Sequence, residues 1–398
     1  MGTRRSFLAS GGVTAFAAQR AIGANERIRL GIIGPGARGQ ELLKDALAQP
    51  NVELGYATDI YTARLREVET IVPGVKTAFD YRRLLEEKNI DAVLIATPQH
   101  LHCEHFTATL DAGKHCYQEK TMAFTVAHAK RMREARRRQP KLTVQIGHQS
   151  CSFGQARDAA AFLARNSMGK VTMIEANMYR NTPHGKPQWS RPVKGDMTAE
   201  NILWKSFLGE APNVPFDANR YINWRFFWDY SGGNVYENMC HQLSFWYKLM
   251  NLRIPAAVTM RGGVYLWKDG REVPDTMNVT MEHSEEILFS WNSGFGNDHL
   301  GFSEAVLGTD ATLFHNGRTV RLIPQKVNQP NGVEEVGATP SERGAHMKNF
   351  LDSIRGGQET NCPFDVGFRV SIACRMAVDS YRLGKTVKWD AVKEETYS

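Results

Sequence analysis

The sequence has few cysteines, and none of them form a C-x-x-C pair: six (Cys103, Cys116, Cys151, Cys240, Cys362 and Cys374) lie scattered through 398 residues. This spacing supports neither a zinc ribbon nor a disulfide scaffold, and the thiols are expected to act as small buried apolar side chains. No uninterrupted apolar run reaches the roughly 18 residues that a membrane-spanning helix needs. There is no internal repeat, no low-complexity segment and no periodic glycine or proline pattern, which excludes a fibre and wholesale disorder. A large charge of one sign is also missing. The net charge of +7 includes Arg4, Arg5 and Arg20 in the first 24 residues, a stretch without any acid. The remaining excess is too mild to imply a nucleic-acid partner. The five arginines between Arg131 and Arg138 read as a solvated helix face.

What is present is an ordinary globular composition, 42% hydrophobic and 23% charged. At roughly 100–200 residues per domain, the length suggests two or three domains. The run Thr3-Arg4-Arg5-Ser6-Phe7-Leu8-Ala9, a Gly/Ala-rich apolar stretch, and the small residues Ala21, Gly23 and Ala24 resemble a twin-arginine export signal. Residues 1–24 are therefore expected to lie outside the fold, and the protein is expected in the periplasm.

Between residues 28 and 147 short β-rich runs alternate with helical patterns. Strands are expected at Ile28–Ile33, Val52–Thr58, Ala92–Ala96, His115–Gln118 and Leu142–Ile146. Helices are expected at Gln40–Ala48, Thr62–Ile71, Tyr81–Glu87, Leu101–Asp111 and Thr125–Arg138. This alternation predicts βαβ units and a parallel sheet covered on both faces. The boundaries are drawn at 27–150 for this domain and 151–390 for the next. Beyond residue 150 a helix at Gln155–Asn166 and a strand at Val171–Tyr179 precede a Pro-, Asn- and Trp-rich stretch, Asn181 to Ser231. A helix follows at Val235–Met250. Strand-like runs crowd together at Ala257–Tyr265, Asn278–Met281, Glu286–Trp291 and Gly301–Leu307, and helices return at Glu342–Ile354 and Val366–Leu383. The second domain is expected to be α+β with a mostly antiparallel sheet.

The sharpest local motif is Gly34-Pro35-Gly36-Ala37-Arg38-Gly39, placed between an apolar strand and a helical pattern. In such a loop the first glycine allows the tight turn, the second lets backbone approach a pyrophosphate, and the third allows close helix–strand packing. The helix N-terminus offers free N–H groups and a partial positive charge to phosphates. Asp59 follows Gly39 by 20 residues, at the end of the second strand. A carboxylate there accepts hydrogen bonds from an adenosine ribose and repels a 2′-phosphate, which favours NAD over NADP. A helix N-cap is the competing assignment for Asp59.

Further motifs complete a pattern. Ala96-Thr97-Pro98-Gln99-His100-Leu101-His102 closes a strand, followed by Ala112-Gly113-Lys114-His115 and Gln118-Glu119-Lys120. With the glycine loop, this resembles the Gfo/Idh/MocA oxidoreductases, which include glucose–fructose oxidoreductase and inositol dehydrogenases. Trp224-Arg225-Phe226-Phe227-Trp228-Asp229-Tyr230 and Trp389-Asp390 are similar to exported members with sugar-dehydrogenase activity. The resemblance implies an N-terminal Rossmann domain, a C-terminal α/β domain with an open sheet that commonly pairs into oligomers, and an active site between them. It implies NAD contacts from Gly34, Gly36, Ala37, Arg38, Gly39, Asp59, Thr97, Pro98, His102, Glu119 and Lys120. Lys120 matches the lysine of the family's E-K-P motif, with Thr121 in place of the proline, a change expected to loosen the turn. Glu237-Asn238-Met239-Cys240-His241 matches its D-x-x-x-H motif with a longer acid, and Ser244 replaces the aspartate that often follows.

These residues suit hydride removal from a hydroxyl-bearing carbon. A neutral histidine accepts the hydroxyl proton and an ammonium stabilises the developing alkoxide, roles for His241 and Lys120. Glu237, four residues before His241, is expected to share its helix face and orient the ring or bind a second hydroxyl. His100, His102, His105 and Glu104 lack a completing ligand set, so no metal is assigned. Trp189, Trp204, Trp224 and Trp228 serve either a sugar site or the packing of the long insertion. Three readings remain: a dehydrogenase of a sugar or cyclitol using exchangeable NAD; an exported, redox-neutral enzyme with retained NAD, coupling two sugars or cleaving glycosides through a ketone; and a non-catalytic binding protein.

Overall fold

The computed structural model describes residues 27–165 and 167–398. The signal-like segment 1–24 therefore lies outside the described residues. Six strands form the first sheet: β1 (Ile28–Ile33), β2 (Val52–Thr58), β3 (Lys76–Ala78), β4 (Ala92–Ile95), β5 (His115–Gln118) and β6 (Val144–Ile146). All pair in parallel in the order β3-β2-β1-β4-β5-β6. The order reverses between β1 and β4, which opens a crevice at the strand ends where a nucleotide sits in such sheets. β1 and β4 are almost wholly buried, as both faces carry helices.

The second sheet has ten strands: β7 (Val171–Met178), β8 (Ala257–Gly263), β9 (Thr276–His283), β10 (Ile287–Gly294), β11 (Phe302–Gly308), β12 (Ala311–His315), β13 (Val320–Pro324), β14 (Glu335–Gly337), β15 (Val387–Asp390) and β16 (Glu395–Tyr397). Its order is β14-β13-β12-β11-β7-β10-β9-β8-β15-β16, antiparallel except for β7 beside β10. Along β9 the buried Met277, Val279 and Met281 alternate with exposed Thr276, Asn278 and Glu282, so one face packs and the other faces outward.

The two sheets are joined by apolar packing rather than by a linker. Ile33, Ile95 and Ile146 of the first sheet share a core with Tyr236, Met239 and Leu243, with Ile372 of the helix Phe364–Leu383, and with Val279 and Phe289. The helix Ala345–Gly356, late in the chain, returns to the first sheet and buries Met347, Phe350 and Leu351 against Leu42, Leu43 and Ala46 of the helix Ala37–Leu47. All six cysteines are buried and unpaired. In the arginine-rich helix Val126–Arg138, Arg131, Arg137 and Arg138 pair at the surface with Glu210, Glu134 and Asp111. Among the described residues no helix is long and apolar enough to cross a membrane.

The expected helix Val235–Met250 divides in two. Val235–Met239 is a π-helical turn, and the α-helix runs from Cys240 to Met250. A π turn marks sequence under functional constraint more often than a plain helix does. The stretch 181–231 condenses into the short helices Trp204–Leu208 and Ala218–Ile222 and a tight turn at Trp224–Phe226. It reaches the first domain: Leu203 N–H donates to Ile60 O at 2.9 Å and Thr62 N–H to Asn201 O at 3.1 Å.

Candidate active site

The three loop glycines face different surroundings. Gly34 has φ +81°, and a Cβ there would meet Thr97 Cγ2 at 2.8 Å. A Cβ on Gly39 would meet Gly34 O at 2.5 Å, whereas one on Gly36 would meet nothing within 4 Å. The first and third glycines are demanded by packing, and the second leaves space open beside the backbone. The following helix, Ala37–Leu47, has no side-chain cap and no acid in its first turn. Its first N–H groups are thus presented to whatever anion occupies that space. Gly34, Gly36, Ala37, Arg38, Asp59, Thr97 and Pro98 line one cavity of about 760 Å³, and this donor set and free space fit a dinucleotide. Replacing Gly36 with Val is expected to leave the thermal melt near wild type and to abolish NAD binding in a titration calorimeter, since its Cβ fills only open space.

The far wall of that cavity comes from the other domain. Arg191, Leu203, Ser206, Phe207, Tyr221, Trp224 and Arg225 lie across it, so the long insertion roofs the cofactor site. The tryptophans mainly pack. Trp204 stacks on Phe207 (4.9 Å between ring centres) and donates through Nε1 to Val214 O, Trp228 packs on Tyr381, and Trp224 alone of the four lines the cavity.

Asp59 is not the helix N-cap weighed for it, since Tyr61 holds that position without a side-chain cap. Its Oδ1 accepts the Tyr61 N–H at 2.9 Å, a turn cap, while the residue lines the cavity wall. Burial pushes its carboxyl up to about 7 against the opposing pull of that N–H and Arg64. Gly39, His102, Glu119 and Lys120 do not line the cavity. Glu119 accepts from Arg38 Nε at 2.8 Å and fixes that arginine at the helix start. His102 is fully buried, its Nδ1 and Nε2 meeting the carbonyl oxygens of Thr121 (2.8 Å) and Thr97 (2.9 Å). It braces the loop from behind rather than touching a nicotinamide. His100 is buried likewise, with Nε2 on Phe207 O at 2.6 Å. Among the described residues no cluster of three or more His, Cys, Asp or Glu forms a metal site.

The peptide bond between Lys120 and Thr121 is cis. The substitution of proline by Thr121 does not loosen this turn as expected. Thr121 is fully buried, its Oγ1 donates to Tyr236 O at 2.8 Å, and its carbonyl meets His102. Two hydrogen bonds thus hold the segment that a ring would have held. Lys120 Nζ donates to Glu237 Oε2 at 2.9 Å and to Glu237 O at 3.0 Å.

Glu237 does not act on the His241 ring, correcting the shared-face expectation. The π turn carries its carboxylate to Lys120, to Gln99 Nε2 (Oε1, 2.6 Å) and to Arg225 Nε (Oε2, 3.2 Å). Burial alone would raise its pKa; Arg225 and Lys120 overcome that and hold the carboxyl down at about 2. Glu237 is therefore an anion at any working pH and positions Lys120. Tyr236 is unavailable to a ligand, since it is fully buried and its hydroxyl donates to Phe124 O at 2.8 Å. Ser244 Oγ donates to His241 O within the same helix.

The half-buried His241 ring has no hydrogen-bond partner among the described residues and packs edge-to-face on His148 at 5.7 Å. Its pKa lies well below 6.5, first through burial, then through the charge of Lys120 and the neighbours His148, Arg38 and Arg180. His148, fully buried, has both ring nitrogens unpartnered, and burial and Lys120 push its pKa down to about 3. His148, Gln99, Arg225 and Arg180 were not legible as site residues in the sequence. Only the positions of Gln99 inside the motif 96–102 and of Arg225 inside the aromatic segment 224–230 offered a signal.

Two family models match the sequence: the NAD-binding Rossmann fold of an oxidoreductase family over residues 28–148, and the C-terminal alpha/beta domain of the same family over residues 211–389. The chain belongs to the Gfo/Idh/MocA oxidoreductase family, and its N-terminal domain is an NAD-binding Rossmann domain. It is 28% identical over 152 residues to a 1-carboxy-3-chloro-3,4-dihydroxycyclo hexa-1,5-diene dehydrogenase of Comamonas testosteroni, covering 38% of each chain. It is 27% identical over 185 residues to an alpha-N-acetylgalactosaminidase of Shewanella oneidensis, covering 44% of this chain and 38% of the other. The chain thus spans less than two fifths of the length of these curated relatives. Levoglucosan dehydrogenase in complex with NADH and levoglucosan superimposes with a TM-score of 0.71 at 17% identity, over 91% of this chain and 99% of that one. The WlbA dehydrogenase from Bordetella pertussis in complex with NADH and UDP-GlcNAcA superimposes with a TM-score of 0.68 at 19% identity, over 92% and 99% of the two chains. At these identities the structural likeness is one of fold.

Proposed function

We propose that this chain oxidises a hydroxyl-bearing carbon of a sugar or cyclitol with NAD. The observation that carries this reading is Lys120, clamped by Glu237 near a His241 ring that has no hydrogen-bond partner among the described residues, a group joined to the dinucleotide cavity through Arg225. The two sites are continuous, because Arg225 both lines that cavity and pairs with Glu237. NAD, when bound, accepts the hydride. The rest is done by the chain. His241 is neutral at working pH and takes the hydroxyl proton on a ring nitrogen. The Lys120 ammonium stabilises the substrate oxygen as its negative charge develops. Glu237 fixes that ammonium, and the roof of residues 203–225 keeps water out.

The same roof supports a second reading, in which the cofactor is retained and is reduced and reoxidised within each cycle. The export-like segment 1–24 favours it, since the periplasm that we infer as the location has no evident NAD supply. The relative named as an alpha-N-acetylgalactosaminidase is compatible with this second reading. We also infer that the outward face of the ten-stranded sheet pairs two or more copies. One preparation tests these points. Protein recovered from the periplasmic fraction without added nucleotide is expected to lack the first residues by intact mass and to scatter light as an oligomer. On denaturation it should release stoichiometric NAD or NADH. Empty protein that turns over polyols with added NAD would favour the exchangeable-cofactor reading. Protein that binds no NAD would overturn both.

A further inference from the structure

Two cations, Lys120 and Arg225, pair with the one carboxylate of Glu237, and a third cation stands at the next residue, Asn238. Lys120 Nζ lies 2.9 Å and Arg225 Nε 3.2 Å from the same atom, Glu237 Oε2. The third, Arg180, extends from the end of β7 and donates through Nη2 to Asn238 Oδ1 at 2.8 Å, the residue next to Glu237. Its other contact is with Met178 Sδ, and among the described residues no carboxylate lies within ion-pairing distance of it. The cluster has a surplus of positive charge in a part-buried place, where unpaired charge is costly. His241 adds no compensating anion, and neither does the fully buried His148 beside it, whose two ring nitrogens lack partners.

The phosphates of the dinucleotide do not account for this surplus. Their seat is the uncapped helix start at Gly36, and neither Arg180 nor Lys120 borders the cavity that contains it. Arg225 does border that cavity, and its charge is already met by Glu237. Arg180 is left over on the side of His241, where the substrate hydroxyl must lie.

We propose that the substrate of this site is an anionic polyol, a sugar or cyclitol bearing a carboxylate or phosphate that Arg180 receives. This rests on the oxidoreductase reading for the position of the reacting hydroxyl, and on the charge imbalance alone for the anionic group. A guanidinium presents a fork of donors that matches either acid group. With Nη2 engaged by Asn238, the remaining edge is what the ligand meets. Arg180 then selects substrate, while Lys120 and His241 perform the proton chemistry.

The test is binding first and turnover second. NAD-loaded protein is titrated calorimetrically with a hexuronate, an aldonate, a hexose phosphate and the matching neutral hexose and alditol. At least one acidic member is expected to bind tenfold or more tighter than its neutral counterpart. The tighter of the carboxylate and phosphate arms assigns the group. Arg180→Gln is expected to bring the acid-to-neutral ratio close to one, and Arg180→Lys to restore part of it, with melting curves confirming that both variants fold. Equal binding of acidic and neutral members by the unaltered protein overturns the proposal without any variant, as does an unchanged ratio in folded Arg180→Gln. Absence of binding by every member also overturns it. If an acid binds tightly and no NADH forms, the anionic assignment stands and the oxidoreductase reading is what fails.

Discussion

Replacing His241 with Ala is expected to lower kcat by roughly 10²–10⁴-fold, the usual worth of a positioned general base. Lys120→Ala is expected to cost roughly 10²–10³-fold, the worth of one preorganised donor to a developing oxyanion. Both variants should retain NAD, because neither residue borders the cavity around the glycine loop. The two roles act on one transition state, so the double variant should be little worse than the poorer single one. The pH profile gives an independent reading. His241 works only when neutral, and its pKa is held well below 6.5 by burial and by the charge of Lys120. Activity should therefore stay level as the pH falls through 6.5 and be lost only further down. In Lys120→Ala the acid limb should move up, since a repelling cation is gone. Initial rates measured across the acid range decide the matter. A limb at or above 6.5 in the unaltered enzyme, or unchanged turnover in both variants, would refute the assignment.

Glu237→Gln should damage both stability and rate. The substitution keeps the shape and removes the one anion between Lys120 and Arg225, whose ion-pair partner it is. Breaking a buried ion pair by deleting one partner costs about 3 kcal/mol or more. The shift of this carboxyl from 4.5 to about 2 corresponds to about 3 kcal/mol as well. The sign follows from that shift. A depressed carboxyl stabilises the fold above its unfolded pKa, and the contribution fades as the pH falls from 4.5 towards 2. Urea melts should show wild type well above the variant at neutral pH, with the gap narrowing through that acid window. Turnover should fall by roughly 10²-fold, because a displaced ammonium no longer meets the substrate oxygen. A gap that does not depend on pH would mean that Glu237 acts by shape rather than by charge.

Much of the first domain could be read along the chain. β1, β2 and β5 fall at their expected bounds. The glycine loop was legible because its demands are local: a positive φ at Gly34 and a close approach at Gly39. β3 went unseen, a three-residue edge strand with half-exposed side chains and no period to read. The strands β12 to β14 were likewise missed, being short and lying on the margin of the second sheet. Glu237 and His241 were read as partners on the assumption of a regular helix, and a single π turn sent the carboxylate elsewhere.

By itself the sequence determined the class of the first domain and the glycine loop that opens its cavity, while Lys120 and His241 were singled out only by the family resemblance. The class and the loop follow from spacing within a few residues, where the backbone dictates geometry. Tertiary structure alone decided what Glu237 holds, for its partner Gln99 is 138 residues away in the chain. It also decided that residues 203–225 of one domain roof the cavity of the other, and that Arg180 meets no acid among the described residues. Charge balance and burial arise from which distant segments pack together, and a linear pattern carries that information only through the apolar faces that drive the packing.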